Sequence, residues 1–156
     1  MPLPLIRRMT PADLDAAVDL FARHDWGDRR LNFEFVVRQP EMRSFVADAE
    51  GAVVGTAVVS LNGPVGWIGT IFVDPVWRRR GVGLELTRAT IDGADDAGCR
   101  TLVLVSTDAG RPMYERLGFE IQTWYRILEA PGLPSETTAD PRIRAFEDDD
   151  LDDMVA

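Results

Sequence analysis

The chain has 156 residues, 46% of them hydrophobic and 28% charged, with a formal net charge of −9. That is one ordinary globular domain's worth of sequence; it excludes disordered, collagen-like and coiled-coil classes, and the negative charge disfavours nucleic acid as a partner. A single cysteine, Cys99, and a single histidine, His24, exclude an internal disulfide and a Cys/His zinc site, so no metal is expected.

Leu5 to Arg8 reads as a short strand. Thr10 reads as a helix cap, with Pro11 at the first helical position and Asp13 three residues after the cap. Leu14, Val18 and Phe21 follow at helical spacing, and this helix is expected to end near Asp25-Trp26-Gly27. A shorter helix is expected over Leu31–Arg38, stopped by Pro40. Ser44–Ala49, Val53–Leu61 and Trp67–Val73 read as three antiparallel strands joined by tight turns. Val82, Leu86, Ala89 and Gly93 then fall on one helix face, and Gly98 ends that helix. Thr101–Val105 is a continuous apolar run, which points to a strand buried on both faces beside a parallel neighbour. Pro112–Leu117 reads as a short helix closed by Gly118, and Phe119–Leu128 as a further strand. The fold class is therefore mixed α/β: a central sheet, antiparallel first and with a parallel pair later, covered by helices on both faces.

Residues 130–141 are rich in Pro, Gly, Ser and Thr and read as a linker after a domain at 1–129. Ile143-Arg144-Ala145-Phe146-Glu147-Asp148-Asp149-Asp150-Leu151-Asp152 then repeats the layout of Ile6-Arg7-Arg8-Met9-Thr10-Pro11-Ala12-Asp13-Leu14-Asp15, at a constant offset of 137. Residues 142–156 thus read as the start of a second copy of the domain, with a fragment of a longer tandem protein as one explanation and a chance acidic tail as the alternative.

The stretch that carries chemistry is Ile71-Phe72-Val73-Asp74-Pro75-Val76-Trp77-Arg78-Arg79-Arg80-Gly81-Val82-Gly83-Leu84. A strand enters an Arg- and Gly-rich turn that opens a helix. Helix N-termini offer unpaired N–H groups and the positive end of the dipole, so they suit anions. Glycines leave the backbone open to a phosphate, and arginines add a forked charge. No Gly-Lys-Ser/Thr follows, so this is not a Walker loop, and Leu86 breaks a dinucleotide G-x-G-x-x-G. A polar helix start with glycines for turning is the competing reading.

Arg78-x-x-Gly81-x-Gly83 after Val73-Asp74-Pro75 resembles the pyrophosphate loop of the GNAT N-acetyltransferases. Tyr114-Glu115-Arg116-Leu117-Gly118-Phe119 resembles that family's late helix and its closing Gly-Phe. The resemblance covers about Leu5 to Leu128. Ala109-Gly110-Arg111-Pro112-Met113-Tyr114 also resembles a tandem branch of the family. The resemblance implies acetyl-CoA as co-substrate. Main-chain groups around Ile71, Phe72 and Val73 would pair with its pantetheine arm, and Arg78, Arg79, Arg80, Gly81, Val82, Gly83 and Leu84 would hold its pyrophosphate. Tyr114 matches the family's general acid. Thr107 stands where the family often has an asparagine on the pantetheine arm. Many relatives carry a glutamate base on the fourth strand; Trp67-Ile68-Gly69-Thr70-Ile71 has no acid there. Asp25, Asp28 and Glu34 are candidates for that proton, each competing with a plain solvated or capping role.

His24 and Cys99 are read as a residue near a helix end and a small buried residue. Trp26, Phe33, Trp67 and Trp124 are read as core aromatics, with lining an acceptor pocket as the alternative. The implied reaction is direct acetyl transfer to a primary amine, borne by a small molecule or a peptide. The alternative is a non-catalytic acyl-CoA-binding or regulatory domain, and a third reading is a phosphate-binding module for another nucleotide. No apolar run reaches the about 18 residues of a membrane span, and the N-terminus lacks a signal-peptide layout. A cytoplasmic protein without a membrane partner is expected, and a homodimer is left open.

Overall fold

Four antiparallel strands lead the chain into its sheet: β1 (Leu5–Arg8), β2 (Met42–Ala49), β3 (Ala52–Asn62) and β4 (Val65–Val73). A fifth, β5 (Thr101–Leu104), lies parallel to β4, and the sheet order is β1-β2-β3-β4-β5. The structure is a computed structural model that describes residues 2–126 together with 128, 142, 144, 145, 147 and 150. The chain divides into a unit over Met1–Gln122 and a second over Thr123–Ala156.

The expected meander is present because β3 and β4 are rich in β-branched residues and each link is tight. The β2–β3 link places Glu50 and Gly51 at φ +55° and +93°, the left-handed region that hairpin turns need. Side chains then alternate across the sheet. Val46, Val58 and Phe72 bury against α1 (Leu14–Ala22) and α2 (Arg30–Arg38) through Leu20, Phe21, Phe33 and Val36. Phe45, Ala47 and Ala57 bury on the opposite face against Val82 and Leu86 of α3 (Val82–Asp95). A last short helix, α4, spans Arg111–Arg116. No helix among the described residues is long and apolar enough to cross a membrane.

One ion cluster ties the first strand to the first helix. Arg7 donates from both terminal nitrogens to Asp13, at 2.8 and 2.7 Å, and from Nε to Asp48 at 2.9 Å. Asp13 also accepts from the Thr10 amide and hydroxyl at 2.8 Å each, so its buried carboxylate serves as the helix-start acceptor. Thr10–Pro11–Asp13 first forms a 3₁₀ turn, which α1 continues. Asp48 accepts in turn from the Gly51 amide at 2.6 Å. A single guanidinium fork therefore joins β1, the helix start and the β2–β3 turn.

Several expectations are corrected. α1 ends at Ala22 rather than near Gly27, because the chain turns sharply through Asp25 at φ +60°. β5 is half-buried rather than buried on both faces. Residues 119–126 and 128 form no strand. Strand propensity needs a tertiary partner to be expressed; among the described residues β5 pairs with β4 alone, and its outer edge is unpaired. Of the aromatics, Phe33 is fully buried, whereas Trp26, Trp67 and Trp124 are 50%, 46% and 71% exposed. Cys99 is buried as expected. The linker at 130–141 lies outside the described residues.

The Arg7 fork holds the Asp13 carboxyl down at about 2, from 3.8. A depressed acid contributes stability above its unfolded pKa and loses it as pH falls through the folded one. Asp13 is therefore expected to contribute about 2 kcal/mol above pH 4, lost as the pH falls from about 4 to 2. Arg7→Ala should lower the melting temperature at neutral pH by roughly 4–8 °C and flatten this acid limb; thermal unfolding followed by circular dichroism across pH checks both.

Candidate active site

The β4–β5 ladder runs only from Val65/Thr101 to Ile68/Leu104. β4 then continues to Val73 on its β3 side, through Phe72/Thr56 and Val73/Gly55. Beyond Ile68, the edge of β4 that faced β5 carries no strand partner among the described residues. A main-chain edge of this kind can take an extended ligand as an added strand. Ile71, Phe72 and Val73 all lie on this free stretch. Ile71 and Val73 turn toward α3, and Phe72 turns toward α1.

β4 also bulges where it leaves β5. The β3 register steps from Thr56/Phe72 to Val58/Gly69, so β4 carries one extra residue. Thr70 sits in the bulge at φ +52°, a costly backbone for a β-branched residue. Its carbonyl accepts a 3.0 Å hydrogen bond from the hydroxyl of Thr56, which is fully buried. Sequence reasoning missed both threonines, because neither residue type signals a left-handed bend.

Past β4, Asp74 ends the strand by accepting from the Val76 amide at 2.9 Å. The loop then bends through two left-handed residues, Arg79 at φ +63° and Gly81 at φ +89°. Gly81 is the N-cap of α3, and its carbonyl takes the first helical bond from Glu85 at 3.0 Å. By helix geometry the amides of Val82, Gly83 and Leu84 have no partner within the helix and point out of its positive end. The three arginines part company. Arg78 folds back to donate to the Val73 carbonyl at 2.9 Å and lies 5.6 Å over the Phe72 ring. Arg80 lies 5.5 Å over Trp77. Arg79 is exposed at the tip of the turn.

A Cβ on Gly83 would meet Met113 Sδ at 3.5 Å and Val73 Cγ2 at 3.7 Å. The first turn of α3, the end of β4 and α4 therefore converge at this glycine, and α4 carries Tyr114. The Tyr114 ring meets Phe119 edge-on, with centroids 6.0 Å apart. Burial pushes its phenol pKa up, so the group holds its proton at neutral pH and above. Gly110 makes room for it, since a Cβ there would lie 3.2 Å from the ring. Thr107 sits at the start of this turn; its hydroxyl and carbonyl accept from the Gly110 amide at 3.2 and 3.0 Å. Its hydroxyl thus closes the turn ahead of α4 and keeps its own proton to donate.

The face beneath Phe72 gathers His24 and Trp26. His24 lies 3.5 Å from Asp74 and 5.5 Å from the Phe72 ring, with Trp26 against the same ring at 5.6 Å. His24 thus bridges the end of α1 to the end of β4, a contact between residues 50 apart that the sequence does not signal. Asp28 accepts from the Arg30 amide at 2.8 Å, which is the capping role. Asp25 occupies the left-handed turn, and Glu34 is half-buried on α2. Among the described residues, no group of three His, Cys, Asp or Glu is placed to hold a metal ion.

Comparison with known proteins agrees with this arrangement. The model of the acetyltransferase (GNAT) family matches residues 8–119. Aminoglycoside N(6′)-acetyltransferase type 1 of Stenotrophomonas maltophilia is 37% identical over 120 residues, covering 64% of this chain and 72% of that protein. An uncharacterized N-acetyltransferase of Methanocaldococcus jannaschii is 29% identical over 150 residues, covering 80% of this chain; the chain spans 66% of that relative's length. A solved aminoglycoside N-acetyltransferase in complex with CoA is 25% identical with a TM-score of 0.68, covering 82% of this chain and 100% of that one. A family model spanning most of the sequence, on a sheet that opens between β4 and β5, places the chain in the GNAT family of acetyl-CoA-dependent N-acetyltransferases.

Proposed function

We propose that Met1–Gln122 transfers acetyl from acetyl-CoA to a primary amine, with the residues above in defined roles. The observation that carries this reading is continuity: the free edge of β4 runs straight into the amides of Val82, Gly83 and Leu84. One ligand with an amide-bearing arm and a pyrophosphate matches both, the arm along Ile71–Val73 and the phosphates at the helix end. Open space supports the fit, since nothing lies within 4 Å of a Cβ built on Gly81. Arg79 is the arginine best placed to add charge there, because Arg78 and Arg80 already lie on aromatic rings.

In this reading the amine nitrogen attacks the thioester carbonyl carbon. The N–C bond forms, the C–S bond breaks, and the electron pair leaves on sulfur. Tyr114 gives its phenol proton to that sulfur, and the surplus amine proton passes to solvent. Main-chain N–H groups past the Thr70 bulge supply donors for the carbonyl oxygen as it gains charge. Alignment of amine and thioester by the bulged strand contributes much of the rate. The acceptor is an amine of a small molecule or a peptide; a cationic polyamine of the aminoglycoside type is one class, supported by the name of the relative at 37% identity. The absence of an acid on β4 favours a second reading, a domain that binds acyl-CoA without turnover. CoA release in an amine screen separates the two.

Four outcomes follow from these roles. Acetyl-CoA at ~100 times its dissociation constant should raise the melting temperature by roughly 5–10 °C, with ATP and NAD producing no such shift. Gly83→Asp should fold, because its Cβ meets only ordinary contacts, yet lose the acetyl-CoA shift; a retained shift removes the loop from the site. Tyr114→Phe should keep the shift and lower kcat by roughly 10²-fold or more, and the wild-type rate should show no falling limb below pH 10, because burial raises the phenol. Thr56→Val should keep the shift while lowering kcat about tenfold through a relaxed bulge, with Thr56→Ser restoring the rate. Equal rates for Thr56→Val and wild type would show that the hydroxyl does not position the strand.

A further inference from the structure

The loop that runs into α3 needs holding from outside itself. Its backbone bends through Arg79 at φ +63°, a strained setting for a residue with a side chain. The joint that aims it is Asp74. The Asp74 amide donates to the Val54 carbonyl at 2.9 Å, which ties the joint to β3. Its carbonyl accepts from the Trp77 amide at 2.8 Å, and its Oδ1 accepts from the Val76 amide at 2.9 Å. The turn over Pro75–Trp77 is thus closed around one residue. The remaining oxygen, Oδ2, faces Nε2 of His24 at 3.5 Å. That is longer than a tight hydrogen bond and short enough for the carboxylate to attract an imidazole N–H.

His24 is itself held in place. Its amide donates to the Phe21 carbonyl at 3.1 Å, just past the end of α1. Its ring lies on Phe72 at 5.5 Å, and Phe72 packs on Phe21 at 4.8 Å. Packing therefore sets the ring, and the ring presents a nitrogen to the carboxylate. Both side chains are mostly covered, so solvent screens the contact less than it would at an open surface. The other charged group on the Phe72 ring is Arg78, at 5.6 Å, which donates to the Val73 carbonyl.

We propose, resting on the reading that the first amides of α3 take a pyrophosphate, that His24 is a positioning residue for the cofactor loop. Held on Oδ2 by His24, the Asp74 carboxylate keeps Oδ1 on the Val76 amide. The turn then delivers Gly81 and the amides of Val82, Gly83 and Leu84 to one place. Without that nitrogen the carboxylate is free to rotate, and the turn loses its restraint just ahead of the arginines. His24 acts through Asp74 and not on the reacting atoms. A ring that only fills space beside Phe72 is the competing role.

Substitutions in the whole chain separate the nitrogen from the ring. His24→Phe keeps an aromatic ring against Phe72 and removes the donor. His24→Gln removes the ring and keeps an N–H donor at about the reach of Nε2. Calorimetry should show His24→Phe binding acetyl-CoA about tenfold more weakly than the parent, and His24→Gln within about twofold of it. Acetyl-pantetheine, which has the arm and lacks the pyrophosphate, should bind the parent and both variants alike. His24→Leu, also without a donor, should match His24→Phe and serves if the larger ring prevents folding. Asp74→Asn should weaken acetyl-CoA binding in the parent and add little to His24→Phe, because the two residues act as one unit. Tight binding by His24→Phe, weak binding by His24→Gln, a loss shared by acetyl-pantetheine, or additive losses would each overturn the proposal. A parent that does not bind acetyl-CoA would overturn the pyrophosphate reading and this role with it; a parent that binds, with His24→Phe binding equally, overturns this role alone.

Discussion

The site depends on the early end of one ladder. β5 keeps to β4 for four residue pairs and then leaves, while β4 runs on for five more residues toward its arginine turn. The departure opens the sheet between two parallel strands without breaking it, because β3 still holds β4 from the other side. Unpaired backbone on that edge is costly when buried and useful when a ligand can pair with it. The Thr70 bulge sits at the parting. A bulge bends and twists its strand, and the buried Thr56 hydroxyl holds this one in place. Strain at Thr70 thus belongs to the same local design as the opening itself.

Around that opening, each helix contributes a different property. α3 contributes its end, where aligned peptide dipoles and unspent amides converge. α4 contributes Tyr114, whose proton is retained because burial disfavours the phenolate. α1 and α2 contribute bulk on the other face, with Phe21, Phe33 and Phe72 packed at ring separations of 4.8–5.2 Å. This aromatic pile fixes Phe72, and Phe72 fixes the strand that carries the free edge. Arg78 on the same ring and His24 on Asp74 extend the support to the first residues of the loop. In a chain of net charge −9, the arginine turn concentrates positive charge where a phosphate-bearing ligand would lie.

The Arg7 fork acts farther away, on the frame. It joins the edge strand, the helix start and the β2–β3 turn through two carboxylates. Its partner Asp13 is buried and its guanidinium is one-third exposed, so the pair escapes most of the desolvation cost that full burial would impose.

Sequence alone determined the order and kind of nearly every element in the first unit, because local chemistry decides those. Alternating β-branched runs, Thr10-Pro11, Gly51, Gly81 and Gly118 each act within a few residues of themselves. The arginine and glycine turn before α3 and the short helix that carries Tyr114 were legible for the same reason, as contiguous patterns. Tertiary structure decided what contiguous patterns cannot hold. It separated the three arginines, because the rings of Phe72 and Trp77 are positioned by packing. It gave His24 a partner in Asp74, exposed Trp26 and Trp67, and left residues 119–126 and 128 outside any strand, because pairing is a tertiary event that propensity alone does not decide. It also put Thr70 in a left-handed bend, because a bulge is a mismatch between two strands and neither strand's sequence records it.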